Sequence, residues 1–132
     1  MLINTIKTSA SNKEVVTRLT NKFNLGAENV IARIAFAYSL KCGSKFSSMD
    51  VKDSGGKEYS RNVLFGPLYP LYLALICTHY GIKDNDINLP RLFKMHLDDG
   101  LERIDRDVKE NPNLIGFDYL FDRISEGIKE LC

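Results

Sequence analysis

The run Val30-Ile31-Ala32-Arg33-Ile34-Ala35-Phe36-Ala37-Tyr38-Ser39-Leu40 is apolar on almost every face of a helix and carries one charge, Arg33. A helix that is apolar all round has to be covered on all sides, so this run predicts the central element of a core or a subunit interface. An arginine inside it needs a carboxylate or carbonyl partner, because leaving the charge buried and unpaired is costly. Two roles remain open for Arg33: an ion pair across the core or interface, and direct contact with nucleic acid.

Upstream, Leu2-Ile3-Asn4-Thr5-Ile6-Lys7-Thr8 alternates as a short strand. A helix is expected from about Asn12 to Phe23, and Asn24-Leu25-Gly26 turns the chain into a second helix from Ala27 to about Lys41. Two copies of such a strand-helix-helix unit can pair their strands into a ribbon that grips or reads DNA. In the first helix Ser11 or Asn12 is the expected N-cap, and Val15, Val16, Leu19 and Phe23 recur at helical spacing as a buried stripe. Lys13, Arg18 and Lys22 fall on the surface opposite that stripe, and Glu14 stands four residues before Arg18, close enough to pair with it. The turn Leu25 to Asn29 exposes backbone N–H groups that suit a phosphate, although Glu28 can already satisfy the helix dipole.

Residues 41 to 62 are the least regular and most basic stretch, with Lys41, Lys45, Lys52, Lys57 and Arg61 spaced by serines and by Gly43, Gly55 and Gly56. Ser54-Gly55-Gly56-Lys57-Glu58 lacks the upstream glycine and the Lys-Ser/Thr ending of a P-loop, which argues against nucleotide hydrolysis. It reads as a tight turn in a solvated loop, or as a mobile basic loop that touches a DNA backbone.

From Leu64 on the pattern is helical. Pro67 and Pro70 open a helix that runs through Cys77 and stops at Gly81, and Asn88-Leu89-Pro90 begins another. Leu89, Leu92, Phe93, Leu97 and Leu101 form the inner face of that second helix, with Gly100 as an expected weak point or break. Asp98, Asp99, Glu102, Asp105 and Asp107 are expected to make an acidic outer face. Paired carboxylates can hold Mg²⁺ for nuclease chemistry, but no lysine or histidine stands at nuclease-like spacing here. After Asn111-Pro112-Asn113, a last helix from about Phe117 to Leu131 turns Leu120, Phe121, Ile124 and Ile128 inward.

The net charge of +1 hides an asymmetry: residues 1–65 hold ten Lys+Arg and five Asp+Glu, whereas residues 66–132 hold eight and twelve. The basic half suits an anionic polymer, and the opposite signs of the halves suit an assembly of identical subunits. Cys42, Cys77 and Cys132 are odd in number and lack a Cys-x-x-Cys pair, so they read as reduced thiols. Cys77 and His79 are too few and badly phased for a metal site. His96, beside Asp98 and Asp99, lacks a nucleophile signature nearby and reads as a solvated histidine. The run from Val63 to Cys77 is too short and proline-broken to span a membrane, and no basic leader precedes an apolar segment at the start of the chain. These features predict a cytoplasmic protein with no catalytic site, no metal and no cofactor.

The chain resembles the DndE family of bacterial DNA phosphorothioation systems. The resemblance rests on Ile6-Lys7-Thr8-Ser9, on Val15-Val16-Thr17-Arg18-Leu19 followed by Leu25 to Ala35, and on Gly55-Gly56-Lys57-Glu58-Tyr59 with Leu71 to Ile76. It covers nearly the full length and implies a non-enzymatic subunit that binds double-stranded, preferentially nicked, DNA. It also implies a homo-oligomer, a tetramer, working beside a cysteine desulfurase, an adenylating sulfur-transfer protein and an ATPase.

The expected architecture is therefore mainly α: one compact helical domain over residues 1–132 with a short N-terminal strand and a ribbon-helix-helix-like first half. The expected DNA contacts are Lys7, Lys13, Arg18, Lys22, Lys41, Lys45 and Lys57. Two other roles compete with DNA docking. One is an assembly scaffold that uses the acidic face as its partner site. The other is a ribbon-type regulator that reads bases through Asn4, Thr5 or Lys7, for which the side chains are short.

Overall fold

A computed structural model describes residues 3–47, 51–111 and Tyr119. The order of elements is β1 (Thr5–Lys7), α1 (Ala10–Lys22), α2 (Glu28–Lys41), β2 (Glu58–Ser60), α3 (Arg61–Phe65), a 3-10 turn (Gly66–Leu68), α4 (Tyr69–Tyr80) and α5 (Leu89–Glu110). The expected mainly helical fold with a short N-terminal strand is what the chain adopts. The last helix expected from Phe117 lies outside the described residues, apart from Tyr119.

The strand finds its partner inside the chain. β1 pairs antiparallel with β2 in the register Thr5↔Ser60, Ile6↔Tyr59 and Lys7↔Glu58, which corrects the expectation of a ribbon shared between two copies. Ile6 and Tyr59 turn inward, leaving Thr5, Lys7, Glu58 and Ser60 outside. The Gly55-Gly56-Lys57 segment prolongs this ribbon and is no free loop. Thr8 N donates to Lys57 O at 2.9 Å, Lys57 N to Thr8 Oγ1 at 2.9 Å and Gly56 N to Thr8 O at 3.0 Å. A Cβ at Gly56 would come within 2.1 Å of Ser9 O, so only glycine lets the two backbones approach this closely.

Helix α1 begins earlier than expected. Its N-cap is Ser9, whose Oγ accepts from Asn12 N, while the Asn12 side chain turns inward to Asp98. The stripe Val15, Val16, Leu19 and Phe23 is buried as expected. Helix α2 packs against α5: Phe36 stacks on Phe93 with centroids 5.0 Å apart, and Ala35 meets Gly100. Gly100 is not a break, since α5 runs through it. A Cβ there would lie 1.8 Å from Ala35 O, so glycine is what allows the helices to touch.

Pro70 stands in the first turn of α4, and Gly81 ends it in the left-handed region at φ 66°, both as expected. By composition Arg61–Tyr80 could cross a membrane. The Gly66–Leu68 turn divides it, however, and α4 alone spans about 18 Å at about 1.5 Å per residue, well short of a bilayer core of about 30 Å. Much of this stretch is uncovered: Val63, Leu68, Leu71 and Leu75 are 45–56% exposed.

Candidate nucleic-acid interface

The expected acidic outer face of α5 does not exist as such, because its carboxylates are engaged within the chain. Asp98 is buried and its Oδ1 accepts from Ser9 N at 3.0 Å and Asn12 Nδ2 at 2.8 Å, while its Oδ2 holds Lys94 Nζ at 2.8 Å. Asp99 holds Arg103 at 2.8 Å, Glu102 holds Lys52, and Asp105 holds Arg18 and, at 3.1 Å, Lys109. Asp107 accepts from the hydroxyls of Tyr38 at 3.3 Å and Tyr119 at 2.8 Å. Three of the pairs are i, i+4 contacts within α5, through Lys94, Arg103 and Lys109. Helical phase alone hid the rest, since Ser9, Asn12, Arg18, Tyr38 and Lys52 come from distant parts of the chain.

His96 is likewise fully buried, not solvated, because it sits among Phe36, Phe46, His79 and Tyr80. Ser39 Oγ donates to Asp99 Oδ2 at 2.6 Å and so accepts from His96 Nδ1 at 2.8 Å. Nε2 of His96 is then the acceptor for Tyr80 OH at 2.6 Å, and Tyr80 OH accepts in turn from Phe46 N at 3.0 Å. Burial, with the His79 ring alongside, pushes the His96 pKa down to about 4, which keeps the ring neutral. This trio has the wrong polarity for acyl transfer: the imidazole donates to the serine, and the serine proton points at the carboxylate. The network instead ties the segment after α2 to the core, with His79 Nε2 donating to Ser44 O at 2.7 Å and Arg103 to Ser44 Oγ at 2.8 Å.

Among the described residues no three or more His, Cys, Asp or Glu side chains converge as a metal site. The N-terminus of α1 is filled by the chain's own anions. Asp53 Oδ2 accepts from Ala10 N at 2.9 Å and Gly55 N at 3.0 Å, and these bonds hold its carboxyl below the usual range. At the start of α2, Glu28 accepts from Thr17 Oγ1 at 3.2 Å and borders a shallow groove with Gly26, Asn29 and Lys57.

The expected DNA-contacting cations do not form one face. Lys13 and Lys22 are nine positions apart, which at about 100° per residue puts them roughly half a turn out of phase on α1. Arg18, expected to be free or paired with Glu14, is held by Asp105 of α5. Lys57 is half-buried with its Nζ 5.9 Å from the centre of the Tyr59 ring. Lys41 ends α2, and Lys45 is exposed in the segment after it. Lys7, Lys13, Lys22 and Lys45 are exposed and make no ion pair with another described residue. Among the described residues Arg33 does not form the ion pair across the core that was one of its expected roles: its Nε is buried without a hydrogen-bond partner there, beside an open apolar groove lined by Val30, Ile34, Ala37 and Tyr72.

One concentration of positive charge was missed at the level of sequence. Lys7 of β1, Lys52, and Arg91 and Lys94 of α5 line a single groove of about 390 Å³ with Thr5 and Ser54. The available signal was Arg91 and Lys94, spaced i, i+3 near a helix start that carries no acid in its first turn.

The sequence model of the family described as DNA sulphur modification protein DndE matches residues 5–111. The chain belongs to the DndE family. That family serves DNA phosphorothioation, so the positive groove and the exposed lysines belong to a subunit of a DNA-modifying system. The fold agrees with that of solved DndE proteins. A crystal structure of DndE from Escherichia coli B7A, involved in DNA phosphorothioation modification, is 18% identical with a TM-score of 0.62, covering 79% of this chain and 99% of that one. A DndE mutant carrying two glycine-to-lysine changes, likewise described as involved in DNA phosphorothioation, is 21% identical with a TM-score of 0.63, covering 78% and 98%. No curated protein matches the chain.

Proposed function

We propose that this chain is the non-catalytic DNA-binding subunit of its phosphorothioation machinery, docking the backbone of duplex DNA as a homo-oligomer. The observation that carries this reading is a contrast between carboxylates and cations: Asp98, Asp99, Glu102, Asp105 and Asp107 of α5 are engaged within the chain, whereas Lys7, Lys13, Lys22 and Lys45 are exposed and pair with no described residue. Backbone docking by such lysines is nearly independent of sequence. A nick makes the duplex easier to bend around the protein, so nicked duplex binds more tightly than intact duplex. The intramolecular ribbon, three residues per strand, gives base reading little support.

Self-association, as a tetramer, accounts for the apolar surface. The outer residues Leu68, Leu71 and Leu75 of the α4 region adjoin, through Tyr72, the groove where Arg33 Nε lacks a partner. A second copy would cover both. The same surface favours a second reading, an assembly scaffold for the sulfur-transfer and ATPase subunits, which no longer has an acidic face to use.

Fluorescence anisotropy on nicked and intact duplexes over a salt series tests the docking. Binding should weaken linearly in log salt, with a slope of about −0.9 per phosphate contacted. Joint replacement of Lys7, Lys13, Lys22 and Lys45 by glutamate should abolish it while the circular dichroism spectrum is kept. Undiminished affinity in that variant would sink the proposal. Light scattering of the pure protein separates the two uses of the apolar face, since a monomer favours the scaffold.

A further inference from the structure

Docking to scattered surface lysines does not require a shared site, yet the open groove between β1, residues 51–54 and the start of α5 gathers four cations into one. Its four cations come from three separate segments, and none of its lining residues is a carboxylate. Its volume of about 390 Å³ falls within the range of about 300–1,000 Å³ common for small-ligand sites. Glu58, opposite Lys7 on the ribbon, is the acid nearest in register and forms no ion pair with it.

The four cations are held differently. Lys94 is buried and oriented from behind by Asp98 at 2.8 Å, so its ammonium is fixed at the groove wall. Lys52 is on loan to Glu102 in a pair whose side chains are 44% and 35% exposed. An exposed pair of this kind contributes little to stability, so Lys52 can leave it readily. Lys7 and Arg91 have no ion-pair partner among the described residues. Arg91 also stands in the first turn of α5, where the helix dipole is already positive and a cation is disfavoured unless an anion is near. Thr5 and Ser54 add hydroxyls that make no hydrogen bond to a described residue.

We propose that this groove binds a phosphate group, with Lys52 exchanging between Glu102 and the bound anion. The proposal rests on the DNA-docking reading for the source of that phosphate, a backbone phosphodiester in place of free phosphate or a nucleotide. Glu102 then acts as an internal competitor that keeps the fourth cation in reserve until the anion arrives.

The experiment uses the full chain in four forms: wild type, the groove variant Lys7→Ala/Arg91→Ala, the release variant Glu102→Gln, and a control, Lys83→Ala/Arg106→Ala, that removes the same charge elsewhere. Duplex affinity is measured over a salt series, and inorganic phosphate is titrated with amide resonances as the readout. The groove variant should bind duplex about tenfold more weakly at about 50 mM salt and reduce the salt slope by about 1 to 2 relative to the control. Glu102→Gln should tighten binding severalfold. If wild type binds duplex but the groove variant matches the control in affinity and slope, the groove is overturned and backbone docking survives. If wild type binds no duplex but phosphate shifts resonances around Lys7 and Arg91, and the groove variant abolishes those shifts, the site stands with free phosphate as its ligand and the docking reading falls. If phosphate shifts nothing there and duplex does not bind, both fall.

Discussion

Helices α4 and α5 invert the usual relation between hydropathy and burial. Of the twelve residues of α4, a nearly uncharged helix, only Ile76 is fully buried. Helix α5 is rich in charge, yet it buries Lys94, His96, Asp98 and Asp105 along with its leucines. The difference lies in partners. Each buried polar group of α5 meets a complementary one, Lys94 within the helix and His96, Asp98 and Asp105 from other segments, which offsets its desolvation. The outer leucines of α4 leave about half of their surface uncovered by the described residues, and that apolar area is stabilising only against another molecule.

The sharpest way to break this contrast is Asp98→Ala. It strands Lys94, Ser9 N and Asn12 Nδ2 together, and we expect a loss of about 3–5 kcal/mol in urea unfolding. A loss below about 1 kcal/mol would mean that water replaces the carboxylate and that α5 is not held by pairing.

Gly100→Ala should cost about 3 kcal/mol despite the better helix propensity of alanine, because its Cβ meets Ala35 backbone that cannot yield. A stabilised variant would show that α2 and α5 are further apart than described.

His96 gives the pH dependence. Its folded pKa of about 4 lies below the ordinary 6.5, so between these values the unfolded chain binds more protons and stability falls as pH falls. The full loss is about 3 kcal/mol, complete only below pH about 4, with about 1–2 kcal/mol already gone at about pH 5.5. Melting temperatures of wild type and His96→Gln should converge as the pH is lowered through this window. Parallel curves would remove His96 as the cause.

The smallest effect on folding is expected at α4. Leu71→Glu with Leu75→Glu should change the stability of the isolated subunit by less than about 0.5 kcal/mol while reducing the mass seen in light scattering. A large loss of stability without a change in mass would place those leucines in the core.

Much of the helical framework was readable from local signals. Pro70 and Gly81 bracket α4, Asn88-Leu89-Pro90 opens α5, and the stripe from Val15 to Phe23 marks the buried side of α1. Their causes act within a turn or two of the residue concerned, through missing N–H groups, left-handed φ or helical phase. The candidate site was readable only in part. Lys7 was named among the contacts, but Lys52, Arg91 and Lys94 were not, since the groove exists only where β1 approaches the start of α5.

What the sequence alone determined is the existence of α1, α2, α4 and α5, the apolar character of α2 and the excess of cations in the first half, but not the short α3. Tertiary structure decided which charges stay free, that β1 pairs within the chain, that Gly100 is a contact and not a break, and that α4 faces outward. The physical reason is range. Propensity and periodicity act between near neighbours, whereas Asp98 accepts a hydrogen bond from the backbone N–H of Ser9, 89 positions away, and no local pattern records that encounter.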